Sequence, residues 1–502
     1  MRNAHTVAAV RKAEHALMDQ LPDGALMQRA AAGLAAVCTG LLDFVYGAHV
    51  VVLAGGGDNG GDALYAGARL AGRGAHVTAI AASNQLHDAG AADLIARGGS
   101  VVPATDDADA AIGSTALAAI NSADLIIDGL TGIGGHGGLR EPAATLASDA
   151  EWARQGGALV VAVDLPSGID ANTGEVHGTA IQADVTVTFG THKPGLLVDP
   201  GASCAGTVEL IDIGLAPFLP EPDLVALQAA DVAAILPLPT AESDKYRRGV
   251  LGILAGSDQY TGAAVLSTGG AIHGGAGMVR LVSAAAAVDV VRQHWPEAVL
   301  TTVDPSRPER AIEAAGRVQA WTAGPGLGTD AEAHTLLGAV LATSLPALVD
   351  ADGITVLAAH PDLLPRMAAT LITPHAGELA RLLGADRADI EARRMHYARA
   401  AATQLGVTVL LKGSTTVIAE PDASRPLLVN ATGTSWLATA GSGDVLSGLA
   451  GSLLAQGVTP AQAAAAGAYL HGLAGRLAAR DAPIGASDLL AAIPAAIRAV
   501  TE

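Results

Sequence analysis

Short, β-branched, nearly uninterrupted apolar runs recur along this chain, each followed by a glycine-containing loop and then by a helical stretch. In the first part they fall at residues 49–54, 75–81, 124–128, 158–164, 183–189 and 207–211. A strand that is apolar on both sides must be covered on both faces, which points to parallel strands joined by helical crossovers. Ahead of the first run, Leu26, Ala30, Leu34, Val37 and Leu41 recur at helical spacing within residues 25–45 and offer one such covering stripe. A second alternating series starts at Val250. The expected class is therefore α/β, and 502 residues exceed what one core usually holds. Pro217, Pro220 and Pro222 interrupt regular structure within residues 216–222, so the boundary is placed there, giving domains 1–220 and 221–502.

Composition narrows the function classes. A net charge of −20 argues against nucleic acid or an anionic membrane as partner, because neither is bound without clustered Lys and Arg. Only Cys38 and Cys204 are present, with no Cys-x-x-Cys spacing, so neither a disulfide framework nor a cysteine zinc site is expected. Arg2, Arg11 and Lys12 stand near the start together with Glu14 and Asp19, without the apolar core of a signal peptide, and no stretch resembles a membrane span. A cytoplasmic location follows as the expectation.

The chemistry concentrates in loops. Gly55-Gly56-Gly57-Asp58-Asn59-Gly60-Gly61-Asp62 and Gly441-Ser442-Gly443-Asp444 each open a helix, where glycine allows close backbone approach and first-turn N–H groups bind phosphate. In a doubly wound sheet ligands sit beyond the carboxyl ends of the strands. Strand ends here deliver Asn59 and Asp62, Asp128 with Thr131-Gly132, and Asp164 with Ser167-Gly168. The glycines also match a dinucleotide fingerprint, but residues 81–84 hold no carboxylate for a ribose, which argues against an ordinary dehydrogenase. Of four lysines, Lys193, Lys245 and Lys412 lie in glycine-containing segments, where a flexible point charge serves phosphates or proton transfer. Asp164 is the chosen general acid or base, with Lys193 as a second candidate, against the alternative that Asp164 caps the 166–168 turn.

The second half repeats the arrangement. Strand-end loops at 256–264, 324–328, 349–353, 373–378 and 411–416 lead in order to Gly441-Ser442-Gly443-Asp444. A Gly-x-Gly-Asp loop at a helix start suits phosphoryl transfer, with backbone N–H groups stabilising charge and Asp444 accepting the proton of the attacking hydroxyl. Asp350 and Asp352 either position magnesium or cap the next helix, and His375 is either a ligand contact or a histidine held by backbone hydrogen bonds after a proline turn. His15, His273 and His471 read as structural.

Asp58-Asn59-Gly60-Gly61-Asp62, Asp128-Gly129-Leu130-Thr131-Gly132, Val163-Asp164-Leu165-Pro166-Ser167-Gly168 and Thr191-His192-Lys193-Pro194-Gly195 resemble the motif series of the NAD(P)H-hydrate epimerases over residues 1–214. The resemblance implies a Rossmann-like domain that interconverts the R and S hydrates of NADH and NADPH with a bound potassium ion. It would place potassium on Asn59, Asp128 and Ser167. The hydrate would meet Asp58, Asn59, Gly60, Gly61, Asp62 and Asp164, wrapped by Gly132-Ile133-Gly134-Gly135-His136-Gly137-Gly138. Asp58 stands where that family usually has a second asparagine, and Ala63 where glycine is common.

Residues 245–500 resemble the ribokinase-like superfamily and, within it, the ADP-dependent NAD(P)H-hydrate dehydratases. That resemblance implies phosphorylation of the hydroxyl of the S hydrate by ADP, with Mg2+, and then loss of phosphate. Ala263, Gly326, His375 and Asp444 would contact the hydrate, and Lys412, Gly413, Ser414, Thr415, Thr416 and Gly443 the nucleotide. The implied partners are small molecules, NADH and NADPH hydrates and ADP, with no nucleic acid and no membrane, and a homo-oligomer is expected. Two other classes compete. A kinase of sugars or vitamin precursors would share the 441–444 loop but not the N-terminal motifs, and a non-catalytic dinucleotide sensor would not need Asp164, Lys193 and Asp444 together.

Overall fold

The six N-terminal apolar runs pair, together with a seventh strand at Ser100–Pro103 that they do not include, into one sheet, parallel throughout, in the computed structural model, which describes residues 1–105, 112–135 and 137–502. Its order is Ser100–Pro103, His76–Ala81, His49–Ala54, Leu125–Gly129, Leu159–Val163, Val185–Phe189, Thr207–Ile211. Because side chains alternate along a strand, a continuous apolar run feeds two cores at once. Val50, Val52 and Ala54 join Leu34, Leu64 and Leu70 of the helices Ala25–Leu41 and Asp58–Ala71, while Val51 and Leu53 join Ile120 and Leu146 on the other face.

Four strands, His76–Ala81, Leu125–Gly129, Leu159–Val163 and Val185–Phe189, start later than the apolar runs suggest. Asp124 and Asp184 stay outside their strands and accept the backbone N–H groups of His49 and Val160. The helix Ala25–Leu41 stops short of residue 45, as Leu42 turns extended. The proline-rich segment holds a short 3-10 turn, Ala216–Phe218, and Pro220 O bonds the ring of His5 at 3.1 Å.

Winding reverses at His49–Ala54. The chain leaves it through Asp58–Ala71 to His76–Ala81 on one side, while Leu125–Gly129 pairs on the other, with Ala54 opposite Gly129. That divergence opens a crevice beyond the strand ends.

Two compact units divide the chain, Asn3–Leu224 and Val225–Glu502 with Met1–Arg2. In the second, Val250–Leu254 repeats the reversal: Met278–Ser283 and Val299–Thr302 lie on one side. Ala320–Ala323, Ala347–Val349, Thr370–Ile372 and Thr408–Leu411 follow on the other, all parallel. The antiparallel strands Thr416–Ala419 and Leu427–Asn430 extend that side. Small residues draw the helices Thr261–His273 and Ser442–Ala455 together: a Cβ on Gly270 or Gly448 would collide with the facing backbone of Val445 or Ser267. This contact sets the 441–444 loop beside residues 260–266. Pro460–Ala479 buries Ala463, Ala466, Leu470 and Ala474 inside the same unit. No helix among the described residues is long and apolar enough to cross a membrane.

Candidate active sites

The N-terminal site is assembled from four strand ends. Asp128 is wholly buried and accepts hydrogen bonds from Ser167 N at 2.8 Å, Ser167 Oγ at 2.7 Å and Leu130 N at 3.2 Å. Burial pushes its carboxyl up to about 6, with the Ser167 and Leu130 bonds pulling the other way. Thr131 N donates to Ser167 Oγ, and Asn59 Nδ2 donates to Val163 O at 2.6 Å and Thr131 O at 3.3 Å. Asn59, Asp128 and Ser167 therefore converge on the loop at Thr131. Gly132 closes this cluster, because a Cβ there would collide with the Asn59 amide.

Asp164 adopts a left-handed backbone conformation with φ +67°, a strained state for a side-chain-bearing residue. Its Oδ1 accepts from Thr188 Oγ1 at 3.1 Å, Phe189 N at 3.2 Å and Lys193 Nζ. Those bonds run to residues 188–193 and not to the 166–168 turn, whose Ser167 N is held by Asp128. Lys193 is 1% exposed and donates also to Thr188 Oγ1 and Phe189 O.

A carboxylate cluster surrounds this pair. Asp62 is buried, its Oδ1 has no hydrogen-bond partner among the described residues, and burial together with Asp164, Asp58 and Glu14 drives its carboxyl well above the usual range against the pull of Lys193. Glu14, on the helix Val7–Met18, is raised by burial, with Lys193 opposing and Asp164 and Asp58 adding to the rise. Sequence reasoning missed Glu14. A glutamate one turn after Arg11 looks solvent-facing, and only tertiary packing turns that side inward: Val7 joins the cluster of Leu165 and Ile169, and Arg11 Nη2 would stand 2.9 Å from a Cβ on Gly134.

The remaining expected residues frame the same crevice. Gly60 and Gly61 are buried in the first helical turn, where side chains would strike Gly55 O and Met27, while Asp58 is exposed. In the loop, Ile133 joins the apolar clusters, Gly135 N bonds Gly132 O, Gly137 has φ +75°, and a Cβ on Gly138 would collide with His177 O. His136 lies outside the described residues.

In the C-terminal unit Lys412 follows the strand Thr408–Leu411 and places Nζ 2.7 Å from Asp350 Oδ1 and 4.0 Å from Glu378 Oε2. Burial opposes its charge, yet Asp350 and Glu378 carry it above the ordinary lysine value. Asp350 Oδ2 accepts from Ser447 Oγ at 2.6 Å, and Asp352 Oδ2 from Gly328 N at 2.9 Å, so neither side chain caps the helix Asp352–Ala359. Asp444 stands in the first turn of Ser442–Ala455. Burial first, then the nearby Asp350, lifts its carboxyl to about 7 with Lys412 opposing.

Two cavities meet at this helix start. One of about 490 Å³ is lined by Gln259, Tyr260, Ala263, Gly326, Asp352, Gly441 and Asp444, among others. The other, of about 590 Å³, is lined by Lys412, Gly413, Ser414, Thr416, Thr434, Leu437, Ser442, Gly443 and His471, among others. Thr415 is buried and lines neither. His375 also lines neither: its Nδ1 accepts from Gly377 N and Glu378 N while Glu378 Oε2 accepts from His375 N, the backbone-held arrangement of a helix cap. Burial keeps its ring pKa low. His471 Nε2 bonds Ser442 O at 2.9 Å, and burial pushes its pKa down to about 4, so the ring is a neutral donor holding the 441–444 loop. Nothing near it in sequence hints at this, since the alanine-rich helix that carries it meets the loop only in three dimensions.

Comparisons with known proteins find two family models along the chain. Residues 23–195 match a family model described as the YjeF-related protein N-terminus, and residues 251–495 one described as NAD(P)H-hydrate dehydratase. A bifunctional NAD(P)H-hydrate repair enzyme of Mycobacterium leprae is 47% identical over 511 residues, covering all of both chains. One from Mycobacterium tuberculosis is 47% identical over 472 residues, covering 93% of this chain and 92% of that one. Among solved structures, a ribokinase-like superfamily protein from Enterococcus faecalis covers 56% of this chain and 98% of its own, with a TM-score of 0.50 and 24% identity, a likeness of fold.

Proposed function

This chain belongs to the bifunctional NAD(P)H-hydrate repair enzymes, and on that premise we infer that its two strand-end sites perform the two halves of one repair. The chain epimerises R and S NAD(P)H hydrates and dehydrates the S epimer, with ADP as phosphoryl donor, to give NAD(P)H, AMP and phosphate. We assign epimerisation to residues 1–220 and dehydration to residues 221–502.

The observation that carries the assignment is the position of residues 441–444 between two cavities. Asp444 faces the smaller one, which holds Ala263 and Gly326, and Gly443 faces the larger one beside Lys412. A hydroxyl of the hydrate in the first cavity and the terminal phosphate of a nucleotide in the second would meet at the helix start. Asp444 then accepts the hydroxyl proton as the new O–P bond forms and the bond from the terminal phosphorus to the bridging oxygen of ADP breaks to release AMP, while first-turn N–H groups with Lys412 stabilise the transferring charge. Phosphorylation makes the hydroxyl a good leaving group, so phosphate departs with the C–O electron pair, the neighbouring ring carbon gives up a proton to the released phosphate or to water, and the dihydropyridine is restored. Of Asp350 and Asp352, the first has its oxygens on Lys412 and Ser447, and Asp352, at the edge of the first cavity, offers a carboxylate oxygen of the kind Mg2+ prefers.

At the N-terminal site Asp164 and Lys193 move protons at the hydrated carbon. The donor set suits potassium: with the Asn59 nitrogen spent on Val163 O and Thr131 O, Asn59 Oδ1, the Asp128 carboxylate and the Ser167 hydroxyl are hard oxygen donors, and Oδ1 borders the space that a Cβ on Gly132 would fill. Bound potassium supplies a fixed positive charge that orients the hydrate. The glycine loop from Gly132 to Gly138 and residues 58–62 hold the substrate. His375 serves this reading as the cap that keeps Glu378 beside Lys412. Two buried free thiols fit a cytoplasmic location, and we include a homo-oligomer in the proposal.

Near-ultraviolet absorbance tests the whole reading. An R and S mixture of NADH hydrate with Mg2+, K+ and ADP should recover completely. Recovery that stops at the S fraction overturns the N-terminal assignment, and absence of recovery overturns the C-terminal one.

A further inference from the structure

A cavity of about 320 Å³ on the N-terminal unit is lined by Arg69, Arg73 and Arg97 together with Thr39 and an alanine wall from the helix Ala25–Leu41. It lies at the opposite end of Asp58–Ala71 from the residues assigned to the hydrate. That helix has 14 residues, about 21 Å of rise, so the cavity is separate from the site beyond the strand ends.

The arginines are poorly neutralised. Arg69 Nη2 donates to Gln28 Oε1 at 2.9 Å and Arg73 Nη1 to Thr39 Oγ1 at 2.8 Å, both neutral acceptors. Neither makes an ion pair among the described residues, and the buried Nε of Arg69 has no hydrogen-bond partner. Of the three, Arg97 alone faces a carboxylate among the described residues, Asp93 at 2.9 Å. In a chain with 49 acidic and 29 basic residues, two adjacent guanidiniums without a carboxylate are an unusual concentration of positive charge. Arginines near a helix end also complement its dipole. Here, however, the side chains of Arg69 and Arg73 reach across to Gln28 and Thr39 on the facing helix and not to the terminal carbonyls. Three guanidiniums against one carboxylate and the partial negative charge of the helix end leave the cavity positive.

We propose that this cavity binds a small phosphate-class anion, as a site distinct from both active sites. Guanidinium forks match phosphate oxygens in pairs, and the alanine wall leaves room beside them. A volume of about 320 Å³ stands at the small end of ligand cavities, which suits pyrophosphate or the phosphates of a mononucleotide.

Calorimetric titration of the full chain with pyrophosphate at low salt tests it. The active sites are common to wild type and variants, so the difference between isotherms isolates this cavity. Arg73→Gln, at an exposed position, and separately Arg69→Gln should each weaken one binding event by about tenfold or more while both enzymatic activities persist. Parallel titrations with inorganic phosphate and AMP identify the source: equal weakening for all three supports a free anion, and weakening greatest for AMP supports a nucleotide phosphate. Isotherms of both variants that superimpose on wild type overturn the proposal.

Discussion

Asp444→Asn separates chemistry from folding within one substitution. A positioned general base typically contributes about 10²- to 10⁴-fold, equivalent to about 3 to 5 kcal/mol of barrier. Dehydration of the S hydrate should therefore fall at least about a hundredfold in kcat/KM, while epimerisation in the same chain is unchanged. The carboxyl of Asp444 sits at about 7, so the wild-type rate should rise with pH through that value and level off above it, and the variant should lose this limb. Stability moves the other way. The folded carboxyl is raised above its unfolded value near 3.8, so the native state holds a proton that the unfolded state has released. Its stabilising contribution is complete below that unfolded value and is lost as pH rises to about 7. The rise from 3.8 to about 7 sets a ceiling of about 4 kcal/mol, and discounting for the partly solvent-facing side chain leaves about 2 kcal/mol. Asparagine carries no such charge, so the variant should gain on wild type between about pH 4 and pH 7, by roughly 4 to 8 °C in Tm at pH 8. Stopped assays of S-hydrate turnover from about pH 5.5 to 8.5, with thermal melts at both ends, give both readouts. A variant that keeps the limb near pH 7, or a Tm difference that does not widen with pH, refutes the assignment of the base and the burial argument beneath it.

Lys193→Met should abolish epimerisation and lower stability by about 3 to 5 kcal/mol, because Asp164 is left buried without its ammonium; circular-dichroism melts check the second part. Glu14→Gln should lower epimerase kcat by roughly tenfold with little change in KM, and the acidic limb of its pH profile should lose one titration; an unchanged profile removes Glu14 from the site. Gly132→Ala drives a methyl group into the Asn59 amide, so half-maximal epimerisation should require about tenfold more KCl while dehydration is unaffected. Lys412→Ala should raise the ADP concentration needed for dehydration by about tenfold or more, since a charge-assisted contact is lost and Asp350 loses its partner.

Much of this is readable in the residue order because a parallel sheet has a built-in polarity. Once 49–54 or 250–254 is recognised as a strand, the loop after it must stand at the ligand edge, and every further strand adds its loop to that edge. Asn59, Asp128, Asp164, Asp350, Lys412 and Asp444 are found that way, each within a few residues of a strand end or helix start. The α/β class and the family follow from the same loops in the same order.

Which groups touch is not written locally. Asp164 bonds Lys193 and Thr188 through a different strand, Asp128 takes its donors from Ser167, and Glu14 reaches this cluster from a helix near the chain's start. His375 sits in a site motif yet spends its Nδ1 on a helix cap, while His471, silent in sequence, secures the loop that separates the two cavities. Sequence alone determined most of the central parallel strands and the edge at which the chemistry collects, because periodicity and glycine placement are local; the edge strand Ser100–Pro103 and the antiparallel pair Thr416–Ala419 and Leu427–Asn430 carry too weak a pattern to be read that way. Tertiary structure decided the partners, the burial that lifts Asp62, Asp128 and Asp444, and the wall between the cavities, because desolvation and hydrogen bonding depend on segments brought together only by folding.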